Sequence, residues 1–202
     1  MSQAVLSPAF YQQDTVALST ALIGCVLHRT IGRESLSGMI VETEAYLGAN
    51  DPASHARRGL RSTRNESMYL PGGHAYVYFT YGMYYCMNVV AGEADIAEAV
   101  LIRAVEPLEG LDRMRANRPA AKRDRDLTNG PGKLCMAMEI DRDLDGVRLD
   151  GKDLFLTGRA RQIDEVEIGV SRRIGIEGSG EEAAAWPLRF YLEKSEFVSR
   201  RR

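Results

Sequence analysis

Lysine is nearly missing from this chain: four residues stand against 22 arginines. Cysteine is scarcer still. Cys25, Cys86 and Cys135 are odd in number, far apart and set in apolar sequence, which excludes a disulfide framework and fits neither a zinc spacing nor a CxxC redox pair. They read as buried, reduced thiols. No stretch approaches the roughly 20 uninterrupted apolar residues of a bilayer crossing, and Met1 to Pro8 lack a basic start followed by a long apolar core. A cytoplasmic protein is therefore expected, nucleoid-associated if bacterial. Repeats, low-complexity stretches and Pro-, Gly- or Ser-rich linkers are also lacking, so residues 1–202 are expected to form one domain. At 202 residues and 45% apolar content, such a domain buries about 70% of its unfolded surface.

The formal net charge of -2 argues weakly against a nucleic-acid partner, but the arginines gather in runs. His55 to Asn65 carries Arg57, Arg58, Arg61 and Arg64 with no acid. Arg113 to Arg125 carries Arg113, Arg115, Arg118, Lys122, Arg123 and Arg125, and a third group is Arg159, Arg161, Arg172 and Arg173. The planar guanidinium fork suits phosphate, so these runs are candidates for a backbone-binding surface; a genomic arginine bias is the competing explanation.

Asp14 is placed to cap a short helix in which Leu18, Ala21, Leu22 and Cys25 recur at helical spacing. Val26 to Thr30 and Leu36 to Tyr46 read as hairpin arms joined around Gly32. The polar segment Leu47 to Gly73 reads as a long surface excursion of the kind that often carries function. Ala75 to Val90, the densest β signal, predicts a hairpin with Tyr81, Gly82 and Met83 at its tip. Ala97 to Val105 is another strand, after which Pro107 is expected to open a helix carrying Leu108, Leu111 and Met114. Asn129 to Gly132 precede a helix over Lys133 to Met138, and shorter strands follow at Leu154 to Leu156, Val166 to Val170 and Leu188 to Leu192. With no recurrent strand-helix-strand alternation, the fold class is α+β on antiparallel strands.

Alternation along Met39 to Tyr46 puts Ile40, Glu42, Glu44 and Tyr46 on one face and Met39, Val41, Thr43 and Ala45 on the other, the core side. Two carboxylates beside a tyrosine are unusual for a strand; they form either a solvent-facing row or part of a site. Arg103 shares a strand face with Ala99, Leu101 and Val105, where an unpaired guanidinium costs several kcal/mol. Glu44 or Glu42 is its economical partner, and the pair is either structural or the seat of a general base. Tyr76 and Tyr78 share a face, and Tyr81 sits at a tight turn from which an aromatic can wedge into a base stack. Gly130, Pro131, Gly132 and Lys133 open a helix, a weak phosphate signal.

Together the segments Ile40 to Gly48 (IVETEAYLG), Tyr76 to Asn88 (YVYFTYGMYYCMN), Leu101 to Leu111 (LIRAVEPLEGL), Gly130 to Cys135 (GPGKLC) and Pro187 to Tyr191 (PLRFY) resemble the alkyladenine (3-methyladenine) DNA glycosylase family, in order and over nearly the whole chain. The resemblance implies a single α+β domain with a curved, mainly antiparallel sheet flanked by short helices. It implies excision of alkylated or deaminated purines from double-stranded DNA in base excision repair; a monomer is expected, and with the HxE and PCxxC pairing of zinc deaminases missing, neither a cofactor nor a metal is expected. It places the water-activating acid on Glu44 and its positioning arginine on Arg103. Tyr46 and His55 then pack one side of the flipped base, Tyr78 stacks on the other, and Asn88 obstructs the 2-amino group of guanine. Tyr81 intercalates where the base was, and Ile174 offers a backbone carbonyl to the water. Residues 56–64 hold more arginine than the family pattern, and Glu66 sets an acid near the expected DNA surface. The competing readings are a non-catalytic nucleic-acid-binding module of related fold and a hydrolase of free nucleosides.

Overall fold

Asp14 accepts hydrogen bonds from the backbone N–H groups of Val16 (2.9 Å) and Ala17 (3.1 Å), so helix α1 (Thr15–Leu22) starts where its cap dictates. The computed structural model describes residues 4–199. Strands β1 (Cys25–Ile31) and β2 (Glu34–Tyr46) form the first hairpin, and β3 (Ala75–Thr80) and β4 (Tyr84–Ala91) the second. With β5 (Glu98–Glu109), β6 (Leu154–Arg159), β7 (Ile168–Ser171) and β8 (Arg189–Leu192) they make an eight-stranded antiparallel sheet in the order β3-β4-β5-β2-β1-β6. Strand β8 leaves this row to join β2 and β7. Short helices α2 (Leu111–Asn117), α3 (Arg125–Thr128), α4 (Pro131–Ala137) and α5 (Glu181–Ala185) flank the sheet, an α+β architecture.

Strand β2 is the hub. Val26 to Ile31 of β1 pair with its first half, β8 pairs with Glu42 to Glu44, and β5 pairs with it from Ser37 to Tyr46. Both its edges are therefore paired. Thr43 Oγ1 donates to the Ser19 carbonyl of α1 at 3.0 Å, which turns Glu42 and Glu44 to the opposite face. The register against β5 shifts between Ile40 and Glu42 and again between Glu42 and Thr43, skipping Val41 and Arg103. These bulges interrupt the strict alternation, and Ile40 packs in the main core with Met39, Val41 and Ala45.

The predicted helix at Pro107 is replaced by strand. Pro107 lies opposite Gly38 beside a register shift, where a missing N–H is tolerated, and β5 runs on to Glu109. A Cβ at Gly38 would lie 2.6 Å from Val105 Cγ2, so only glycine admits this approach. Helix α2 begins after Gly110, whose φ is 78°. Similarly, Val166 falls in a 3-10 turn before β7. The excursion after β2 is more ordered than its polarity suggests. Three 3-10 turns cross it, and Ala56 and Met68 anchor it on a second small core with Tyr76, Val90, Ala97 and Ala99. The three cysteines are free and buried. Among the described residues no helix is long and apolar enough to cross a membrane.

Candidate active site

Glu42 and Glu44 have no exposed surface, which overturns a solvent-facing row. Each is saturated. The bulged Arg103 donates from Nε to Glu42 Oε1 (3.0 Å) and from Nη1 to Glu44 Oε2 (3.1 Å), so one guanidinium bridges both acids. Glu42 also accepts from Arg189 Nε (2.7 Å), Ser199 Oγ (2.8 Å) and Ser199 N–H (2.6 Å). Glu44 accepts from the Ile174 N–H at Oε1 (2.7 Å) and from the Tyr46 hydroxyl at Oε2 (3.0 Å). Burial pushes the Glu44 carboxyl up; Arg103, the Ile174 N–H and the Tyr46 hydroxyl pull it back, and the net displacement is upward. Burial also weakens the Arg103 cation, but Glu44 and Glu42 outweigh that loss.

Above this floor lies a cavity of about 440 Å³, within the range of small-molecule sites. Tyr46, His55, Tyr76, Tyr78, Tyr81, Asn88, Arg103 and Ile174 all border it. Thus seven of the eight residues singled out from sequence line one cavity, and Glu44 lies behind its wall, joined to three of them by hydrogen bonds. His55 and Tyr78 touch edge to face with centroids 4.5 Å apart, so no ring fits between those two. The His55 Nδ1 is 2.7 Å from the Tyr76 hydroxyl. Burial, then Arg64 and Arg57, lower the His55 pKa to about 4, which keeps the imidazole neutral. Asn88 is held by donating from Nδ2 to the Tyr76 carbonyl at 3.0 Å. Ile174 donates its N–H to Glu44 Oε1 at 2.7 Å, a contact separate from the one expected between its carbonyl and the water.

Tyr81 stands at the mouth. It occupies the turn between β3 and β4 with φ 51°, followed by Gly82 at 67°, and is 79% exposed. Positive φ is costly for a bulky residue, so the hairpin holds an aromatic ring outward against its conformational preference.

The methylpurine-DNA glycosylase profile matches residues 9–196. The chain belongs to this family. Relatives named "Putative 3-methyladenine DNA glycosylase" include proteins of Clostridium botulinum (strain Alaska E43 / Type E3), 43% identical over 98% of this chain and 100% of its own length, and of Carboxydothermus hydrogenoformans, 45% identical over the same shares. A third, from Bdellovibrio bacteriovorus, is 44% identical over 98% of this chain and 100% of its own length.

For a DNA glycosylase the arginine runs need correction. Arg113 pairs with Glu34 and Glu139, Arg115 with Asp112 and Asp124, Arg123 with Asp126 and Arg125 with Glu196, so the second run is largely neutralised. In the third, Arg161 pairs with Glu167, and Arg173 is fully buried against Asp51. In the first, Arg61 is bound by Glu66 and Asp95, which removes Glu66 as a free acid on the rim. Arg57, Arg58 and Arg64 are exposed, and Arg57 reaches the cavity edge. Lys133 donates to Asn129 Oδ1 at 2.7 Å. A Cβ at Gly132 would meet Tyr84 at 3.0 Å, so the glycine there serves the seating of α4 on β4. The sequence reading missed Asp51 and Arg189, and misjudged Arg173. Among the described residues no group of three or more His, Cys, Asp or Glu side chains is arranged to hold a metal ion.

Proposed function

We propose that this chain swings alkylated or deaminated purines out of duplex DNA and hydrolyses their N-glycosidic bond with a water activated by Glu44, leaving an abasic site. One observation carries the reading: a fully buried carboxylate, bridged to Arg103, backs an aromatic-walled cavity with an outward tyrosine at its mouth. A stacked base hides its glycosidic bond, and extruding it costs a few kcal/mol, least for a damaged or mispaired base. Tyr81 fills the gap. Stacking on tyrosine, about 1 to 3 kcal/mol per base, offsets much of the cost, and cationic alkylated purines gain further from the ring faces.

Glu44 has acceptor room for about four hydrogen bonds. Three are taken by Arg103, Tyr46 and Ile174, which leaves one for the water. An upward-shifted carboxylate is a stronger base, and its charge stabilises the oxocarbenium character of the sugar. Among the described residues no lysine borders the cavity, so the nucleophile is water and no Schiff base forms; borohydride trapping of a protein-DNA adduct would refute this. The zero exposure of Glu44 also suits a purely structural ion pair in a non-catalytic binding module. Single-turnover assays on duplexes carrying hypoxanthine, ethenoadenine, 3-methyladenine or 7-methylguanine decide between them. Release of free base by the wild type and none by Glu44→Gln supports the enzyme; equal behaviour of the two proteins supports the module. Release from free inosine would move the substrate class to nucleosides.

A further inference from the structure

Arg173 and Asp51 have fully buried side chains and form a two-pronged ion pair, Nη2 donating to Asp51 Oδ1 at 2.8 Å and Nη1 to Oδ2. Nη1 also donates to the Ala45 carbonyl at 2.9 Å. Replacing a buried ion pair by apolar side chains is often neutral or stabilising, so its reason lies in what it orients. Three connections show what that is. Asp51 accepts from the N–H groups of Leu47 (3.1 Å) and Ala53 (2.9 Å), fixing the turn that leads from Tyr46 to His55. The Arg173 guanidinium carbon lies 4.7 Å from the Tyr46 ring centroid and 6.0 Å from that of Trp186. The next residue, Ile174, donates its N–H to Glu44. Among the described residues Arg173 Nε is buried without a hydrogen-bond partner, which fits a guanidinium placed for its fork and its stacking rather than for full hydrogen bonding.

We propose that the Arg173–Asp51 pair is a positioning device for Glu44: it seats Tyr46 and Ile174 so that both donate to the carboxylate. This rests on the reading of Glu44 as the water-activating base. Two of the three donors on Glu44 hang on this pair, whereas the third, Arg103, is held separately by Glu42. Losing the pair therefore weakens the support of the carboxylate without removing it. The other groups facing Glu44 are Glu42 on β2, Tyr78 on β3 and Cys86 on β4, with Arg189 of β8 reaching it through Glu42; none of these changes in the test.

The test uses full-length Arg173→Lys and Asp51→Asn. Lysine keeps the charge but lacks both fork and plane. Carbon-13 NMR titration, with the Glu44 signal assigned by its absence in Glu44→Gln, is expected to give a higher Glu44 midpoint in each variant than in the wild type. Excision from a hypoxanthine duplex is expected to fall on the order of 10- to 100-fold at neutral pH, and the acid limb of the kcat profile to move to higher pH. Tyr46→Phe keeps the ring and removes one donor, so it shifts the midpoint in the same direction even if the pair variants unfold. Folded variants with unchanged midpoint and pH profile overturn the proposal. Should the wild type excise nothing, the proposed reaction falls, and the titration alone still judges whether the pair positions Glu44.

Discussion

The floor and the rim of the cavity are built on opposite rules. On the floor, Glu42, Glu44, Arg103 and Arg189 are nearly or wholly buried, sit on paired strands and hold one another through several hydrogen bonds each. On the rim, Tyr81 is exposed at a strained turn, and Arg57, Arg58 and Arg64 project to solvent from the turn-rich segment after β2. Buried charge demands fixed partners and tolerates little motion. Exposed cations carry no such burial penalty and need no fixed partner. On the proposed reading, chemistry rests on the sheet and recognition on the loops, so each half is expected to fail differently when altered.

The largest effect is expected from Glu44→Gln. Loss of a general base costs on the order of 10² to 10⁴ in rate, so excision collapses while lesion binding, a property of the rim and walls, persists. Burial raises the Glu44 carboxyl above its ordinary range, so the folded state holds this proton more tightly than the unfolded one. Its stabilising effect is full below the usual carboxylate range and is lost as pH rises through the raised value. The amide therefore leaves the unfolding midpoint at pH 7 unchanged or higher; a large drop in Tm would show that the charge is structural. Next is Arg103→Met, which leaves two buried carboxylates short of their shared cation. Thermal or urea unfolding is expected to show a loss of about 3 to 5 kcal/mol.

Rim variants are expected to leave stability within about 0.5 kcal/mol. Tyr81→Ala lowers excision from duplexes roughly 5- to 100-fold, the equivalent of about 1 to 3 kcal/mol of stacking, and spares single-stranded oligonucleotides, which have no gap to fill. Equal losses on both substrates would remove Tyr81 from intercalation. A smaller effect separates two arginines of one run. Arg58→Ala is expected to reduce the salt slope of duplex binding by about one, whereas Arg61→Ala, already tied to Glu66 and Asp95, leaves it unchanged.

Legibility in sequence follows the same division. Both hairpins and the tip at Tyr81 were readable because alternation and turn residues are local signals, and the partner of Arg103 followed from the cost of an unpaired guanidinium on an apolar face. What escaped was long-range or broke a period. Asp51 and Arg173 are 122 positions apart, so no local pattern marks them as a pair. The arginine runs looked cationic because acids such as Asp95 and Glu139 reach them only through the fold. The bulge at Val41 is invisible to a strict period of two, and Pro107 was read by its helix-opening habit when Gly38 opposite lets it sit in a strand.

The last expected effect sets a wall of the cavity against its floor, this time through pH. His55 titrates near 4 in the folded protein because burial, then Arg64 and Arg57, disfavour its charged form, while the unfolded chain takes up that proton near 6.5. Between those values the unfolded state binds more protons, so stability rises with pH across the window and is lost as pH falls through it, reaching at most about 3 kcal/mol and less in proportion to the partial exposure of the ring. Glu44 acts with the opposite sign, so the two partly cancel in the wild type. Urea denaturation at pH 7 and pH 4.5 is expected to show a smaller acid loss in His55→Gln than in wild type, and a larger one in Glu44→Gln. If His55→Gln loses as much as the wild type, its imidazole is freely protonated and this wall of the cavity is as open to water as the rim above it.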